Sequence, residues 1–292
     1  MRVTDGMRYQ SVSTNLARIQ AQNAEAQQQA STGLRVTKPS DDPVAAAELA
    51  RLRASLSNAS GHRQAIQRAR GDAELAESTL AQVNELMASA KEAAMQGAND
   101  SLGANDRQNL ASQVRGIKSE LLKLANTRGS KGYLFAGSKT DSAAFDANGA
   151  FAGDDVEQVI DAGGSSPVAV SASGAKAFTA AGGRNLFADL EGLAQSLDSN
   201  DRTGVAASLD TLDQGTTQVT RERTRVGLTV SKLDASDGVL EQLGVDLGRQ
   251  QSEVGAVDPF EAYSKVTTLA QSLQQAVQVS RQVLDLGDLW NR

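Results

Sequence analysis

From Pro43 to Gly97 the chain contains no further proline, and only Gly61 and Gly71 interrupt the run. Within it, apolar residues recur every seven positions: Leu52, Ala59, Ile66, Ala73, Leu80, Met87 and Ala94. A companion set follows three residues on: Ser55, His62, Ala69, Ala76, Val83 and Ala90. A repeat of this kind is a heptad seam, one apolar edge of a helix that must lie against another helix. At 1.5 Å per residue a helix over this stretch is about 80 Å long. Its many alanines imply close backbone approach. A second seam runs at sevens through Val219, Val226, Leu233, Leu240, Leu247 and Val254. Gly215, Gly227, Gly238, Gly244 and Gly248 weaken it, and bends are expected there. With 292 residues there is room for two or three domains, yet only 3% are aromatic. That composition suits long, closely packed helices better than one globular core.

Two Asp-Pro pairs punctuate the chain. Asp42-Pro43 opens the first long stretch and Asp258-Pro259 opens the last. An Asp at the cap accepts hydrogen bonds from free first-turn amides, and proline in the first turn gives up a donor that lacks a partner anyway. Glu261, three residues after Asp258, completes a capping-box pattern. Asp41, Asp42, Pro43, Asp258 and Pro259 are therefore read as helix starts. Before the first pair, Val12, Leu16, Ile19, Ala26 and Ala30 form a thin helical stripe beside Asn23 and many glutamines, ended by Gly33. After the second, Val266, Leu269, Leu273, Ala276, Val277, Val283 and Leu284 share one side. Between the long stretches, residues 99–105 read as a turn. Asn105, with Gln108 three residues on, opens a helix with the seam Leu110, Val114, Ile117, Leu121 and Leu124. After Gly129 the helical period disappears. Six of the ten aromatics fall between Tyr133 and Phe187. Short alternations at Val156, Val159 and Ile160, then Val168 and Val170, predict small strands joined by Gly/Asp/Ser turns. Helix returns near Asn185. The predicted fold class is mainly α: terminal coiled-coil helices and a long α-helical rod, with a β-rich insert.

Chemistry is sparse. A net charge of −6 argues against a general nucleic-acid or anionic-membrane role. No apolar run is long enough to span a bilayer, and the N-terminus lacks a hydrophobic signal-peptide core. There is no cysteine. The single histidine, His62, sits on the seam without metal-ligand company, so an interhelical role is the better reading. Asp41 and Asp42 are better explained as caps than as a catalytic pair, and Asp154 and Asp155 as turn residues. No phosphate-binding glycine loop or nucleophile elbow is present. The expectation is a protein that is not an enzyme and needs no cofactor or metal. Arg221, Glu222, Arg223 and Arg225 form a dense charged patch with two readings. One is a solvated face with local ion pairs; the other is a contact with a neighbouring subunit. The two terminal stripes are either an ordinary intrachain coiled coil or elements that gain order from copies in other subunits. Their low apolar content favours the second.

The run Ser31-Thr32-Gly33-Leu34-Arg35-Val36, followed by Pro39-Ser40-Asp41-Asp42-Pro43, resembles the signature at the end of the first helix in the flagellin superfamily. The opening Met1-Arg2-Val3 is more similar to the hook–filament junction branch (hook-associated protein 3) than to flagellin. So are the block from Gly132 to Gly137, the tripeptide Asn185-Leu186-Phe187 and the ending Leu289-Trp290-Asn291-Arg292. The resemblance implies a flagellin-like layered subunit. Residues 1–42 and 257–292 would form an inner coiled-coil layer. Residues 43–132 and 186–256 would be the two halves of a rod, and 133–185 a β-rich variable insert. It implies a structural adaptor between hook and filament, with flagellin itself as the alternative. It implies a homo-oligomeric ring whose partners are a hook-side junction protein (hook-associated protein 1), flagellin and a cytoplasmic export chaperone, with no nucleic acid and no membrane. It also implies export by the flagellar type III apparatus to an extracellular place on the bacterial flagellum. The residues expected at the assembly interface are Val12, Leu16, Ile19, Leu34, Arg35, Val266, Leu269, Leu273, Val277 and Leu284.

Overall fold

The computed structural model describes the backbone of residues 2–164 and 167–289, with side chains at residue 7 and between residues 9 and 282. Seven α-helices hold about three-quarters of the described residues. They are α1 (Arg2–Thr32), α2 (Pro43–Gly97), α3 (Ala104–Ala125), α4 (Gly174–Phe178), α5 (Leu186–Asp198), α6 (Arg202–Gly255) and α7 (Pro259–Leu289). The chain is mainly α. It divides into two compact units, residues 1–58 with 244–292, and residues 59–243. Helices α2 and α6 contribute to both.

In the unit 59–243, the seams predicted from sevens are the core. Ala59, Ile66, Ala73, Leu80, Met87 and Ala94 of α2 are buried, as are Val219, Val226, Leu233 and Leu240 of α6; Val205 and Leu212 extend the second seam beyond its predicted start. Helix α6 runs unbroken through the five glycines from Gly215 to Gly248. At Gly215 the missing side chain has a use: a Cβ there would lie 2.6 Å from Leu186 Cδ2 and 3.1 Å from Met87 Cε. Helix α3 buries Val114, Ile117 and Leu121 and packs on α5. Its start differs from the predicted one. Gly103 stands at the cap without a side-chain bond, and Asn105 lies exposed inside the first turn. The turn is set by other groups. Asn99 Oδ1 accepts from Ser101 N at 3.1 Å. The buried Arg107 donates to Gly97 O and Asn99 O, both at 2.7 Å, and so satisfies carbonyls at the end of α2.

One flank of the α2–α6 seam carries polar pairs every seven residues, running in opposite directions along the two helices. Arg63 Nε donates to Asp237 Oδ1 at 2.9 Å, and Arg63 Nη2 to Glu241 Oε2 at 3.3 Å. Arg70 Nε lies 3.0 Å from Asp234 Oδ1. Arg223 Nε donates to Glu77 Oε1 at 2.6 Å. Asn84 Nδ2 donates to Thr220 Oγ1 at 3.3 Å, and Lys91 Nζ to Asp213 Oδ1 at 2.5 Å.

The segment between α3 and α5 holds less sheet than its alternation predicts. It consists of two antiparallel hairpins of two-residue strands. In the first, β1 (Arg128–Gly129) pairs with β2 (Gly132–Tyr133); in the second, β3 (Val159–Ile160) pairs with β4 (Val168–Ala169). Strands this short bury little, and aromatic packing does the work instead. Phe178 meets Phe135 edge-on at 5.2 Å between centroids, Phe145 at 5.4 Å and Phe187 at 6.2 Å. The block Gly132–Gly137 has a steric reason. Phe135 and Ala136 are fully buried. Gly137 takes φ +70°, with the Asp154 carbonyl oxygen where a Cβ would stand.

Three side chains of α6 moor this segment by its backbone. Gln218 Nε2 donates to the carbonyls of Ala177, Thr179 and Arg184 at 3.0–3.2 Å, and its Oε1 accepts from Arg184 N at 2.8 Å. The buried Glu222 accepts from Ser173 N at 2.8 Å, and Arg225 donates to Ser171 O at 2.8 Å. Glu222 and Arg225 also pair with each other, which raises the Arg225 pKa above the ordinary guanidinium value. The charged patch at 221–225 is therefore largely engaged inside the chain, since Arg223 bonds Glu77. His62 is half-buried, its Nδ1 3.1 Å from Asp161 O.

Candidate functional site: the terminal arms and their root

The unit of residues 1–58 and 244–292 brings α1 and α7 side by side. The packing between them is thin and polar. Ala26 and Ala262 are buried, and so are Asn23 and Gln29. Asn23 Oδ1 accepts from Gln27 Nε2 at 3.0 Å, and Gln29 Nε2 donates to Arg35 O at 3.2 Å. The larger apolar residues of the two stripes fare worse. Val12, Leu16 and Ile19 on α1, and Val266, Leu269, Leu273 and Val277 on α7, are each only half-buried. Leu284, Met1 and Trp290–Arg292 lie outside the described side chains. Further apolar surface stands open in the same unit: Val44 is 81% exposed, Phe260 85% and Tyr263 73%.

At the root of the arms the two ends of the chain are tied together. Gly33 ends α1 at φ +70°. The chain then runs antiparallel to the α6–α7 connection, with Leu34 opposite Ala256. Arg35 N donates to Gly255 O at 2.8 Å, and Val257 N to Gly33 O at 3.0 Å. The Arg35 guanidinium spans the gap, with Nη1 on Asp42 Oδ2 at 3.0 Å and Nη2 on Val254 O at 3.1 Å. Val36, Ala45 and Leu49 close over Val254. At Gly255 a Cβ would stand 3.0 Å from Leu49 Cδ2, so a larger residue there presses on that side chain. Leu34 remains 39% exposed, whereas Arg35 is occupied within its own unit. The partners that sequence reading missed are Asn23, Gln29 and Gly255. Neither buried amide shows in a pattern that searches for apolar spacing.

The Asp-Pro pairs cap as their chemistry dictates. Asp42 Oδ1 accepts from Ala45 N at 3.0 Å, with Pro43 opening α2. Asp258 Oδ1 accepts from Phe260 N at 2.7 Å and Glu261 N at 3.3 Å. Asp41 Oδ2 holds the preceding turn through Lys38 N, Thr37 Oγ1 and Thr37 N. The Lys38 amide, then the Thr37 hydroxyl, hold the Asp41 carboxyl below its ordinary value. The Ala45 amide, then Arg35, do the same for Asp42. A depressed folded pKa favours folding above the unfolded value, about 3.9, and that contribution is lost as pH falls through the lower folded value. The root is thus expected to loosen in acid below about pH 4. Carboxyl NMR titration of the chain should give Asp41 and Asp42 midpoints below that of a free aspartate; unshifted midpoints would contradict the geometry.

Among the described residues no group of three or more His, Cys, Asp or Glu is placed to hold a metal ion, and no helix is long and apolar enough to cross a membrane. The profile of the bacterial flagellin N-terminal helical region matches residues 3–140. Over 284 residues the chain is 31% identical to flagellar hook-associated protein 3 of Escherichia coli (strain K12), covering 88% of this chain and 89% of that one. The chain belongs to the flagellar hook-associated protein 3 family. Solved structures share the fold of this hook-associated protein 3 family member at lower identity. Bacillus cereus FlgL superposes with a TM-score of 0.61 at 18% identity, over 69% of this chain and 99% of that one. The flagellar junction protein FlgL from Legionella pneumophila gives 0.56 at 16%, over 73% and 100%. As a member of this family, the chain associates with other components of the flagellum.

Proposed function

We propose that the chain is a structural adaptor subunit of the bacterial flagellum, joining the hook region to the flagellin filament by coiled-coil packing of its terminal helices. One observation carries the reading: α1 and α7 meet, yet seven large apolar residues on their stripes are only partly buried. Two helices alone cannot cover both stripes, and copies from sibling subunits can. Full burial of each large side chain contributes roughly 1.5–3 kcal/mol before the cost of ordering. In this reading residues 1–42 and 257–292 form the inner layer of a homo-oligomeric ring. Residues 43–132 and 186–256 form its rod, and 133–185 the insert. The ring binds a hook-side junction protein (hook-associated protein 1) on one side and flagellin on the other. A cytoplasmic chaperone holds the C-terminal arm before type III export to the extracellular structure. Its work makes and breaks no covalent bond.

The chain has no native cysteine, so Ala143→Cys, at an exposed position, provides a single labelling site. Maleimide dye on intact cells is expected at the filament base alone. Label along the whole filament would replace the adaptor with a filament subunit.

A further inference from the structure

The seven-residue repeat alone does not fix how far α6 lies along α2. Both seams repeat at sevens, so sliding one helix by a heptad still sets much of one apolar seam against the other. The flanking polar pairs are different, because their signs are not uniform. Arg63, Arg70 and Lys91 place cations on α2 against Asp237, Glu241, Asp234 and Asp213 on α6. One rung is reversed, with Glu77 on α2 and Arg223 on α6.

We infer that the inverted Glu77–Arg223 rung is a register lock, which holds α6 against α2 by making a one-heptad slip in either direction electrostatically unfavourable. Slip in one direction carries Arg70 onto Asp237 and Glu241, which is tolerable, but brings Glu77 onto Asp234. Slip in the other brings Arg70 onto Arg223 and Lys91 onto Arg202, while Glu77 faces only Thr216 and Thr220. A ladder of uniform sign would lack these repulsions at Glu77 and at Arg70. Opposed like charges are the device by which helix pairs reject a wrong alignment. A subunit that passes load between two lattices, on the reading above, needs such a lock. The lock itself is a property of the single chain and is tested there.

Nitroxide labels at Ser78→Cys and Ala235→Cys, both exposed, report the axial offset of the two helices in the full chain. A one-heptad slip changes that offset by about 10 Å. Glu77→Arg opposes Arg223 in the native register but meets Asp234 in the first slipped one. Its distance distribution is expected to gain a second, shorter peak. Arg223→Glu opposes Glu77 but would meet Arg70 in the other slipped register, so its second peak is expected to be longer. Glu77→Gln should keep the native distance alone, whereas the double variant Glu77→Arg/Arg223→Glu makes the ladder uniform in sign and is expected to show a shorter and a longer peak beside the native one. Circular dichroism confirms that each variant is helical. The lock is refuted if both charge reversals give only the native distance, if their extra peaks move the same way, or if Glu77→Gln slips equally.

Discussion

Removal of residues 260–292 is expected to abolish swimming while leaving the unit of residues 59–243 folded. The deletion takes away Val266, Leu269, Leu273 and Val277, and strips α1 of the helix it packs on. A lone helix in water is marginal, and α1 has little beyond Ala26 and three half-buried aliphatic residues to hold it. The other unit keeps both of its seams and its aromatic cluster. Loss of motility should therefore accompany a preserved thermal transition for that unit. Because a deletion can also block export, Leu269→Asp/Leu273→Asp gives the same test at full length. It should reach the medium and still fail to support swimming. Motility in either variant would remove the arm from the assembly.

Phe178→Ala is expected to be the most damaging single substitution in the segment between α3 and α5. The ring is fully buried and touches Phe135, Phe145 and Phe187. Truncating a buried phenylalanine costs about 3–5 kcal/mol, because the hole is only partly refilled. For a unit of this size that lowers Tm by roughly 10 °C. Phe260→Ala, at a ring that is 85% exposed, should leave Tm unchanged. Calorimetry of the two variants side by side checks both. Equal transitions would mean that the cluster contributes little beyond its helical neighbours.

The helical frame was legible because it is written in a period. Leu52 to Ala94 repeats at sevens, and every member is buried. The starts of α2 and α7 were legible from Asp-Pro, whose chemistry is local. What escaped reading is long in sequence and short in space. Arg35 reaches Val254, and nothing near either residue announces the other. The ladder escaped for a different reason. Arg63, Arg70, Glu77, Asn84 and Lys91 also recur at sevens, but on α2 alone they resemble a solvated face, and only their partners on α6 reveal the pattern. In the patch at 221–225 the sequence offered solvent or a neighbouring subunit. It could not show a buried Glu222 gripping a peptide N–H of its own chain. The strands between α3 and α5 were overestimated because alternation in an Ala/Gly/Ser-rich stretch carries little apolar area, so packing is delegated to four phenylalanines.

The mooring of that segment to α6 has a consequence for tolerance to change. Gln218, Glu222 and Arg225 hold it by peptide carbonyls and amides at Ser171, Ser173, Ala177, Thr179 and Arg184. Every amino acid offers that carbonyl, and every one but proline the amide. The tether itself therefore does not read side-chain identity at those five places; Ser173, which caps α4, and the buried Ala177 are held by other contacts. What the tether demands is constancy of three residues on the helix that holds it, and of a main-chain path on the other side.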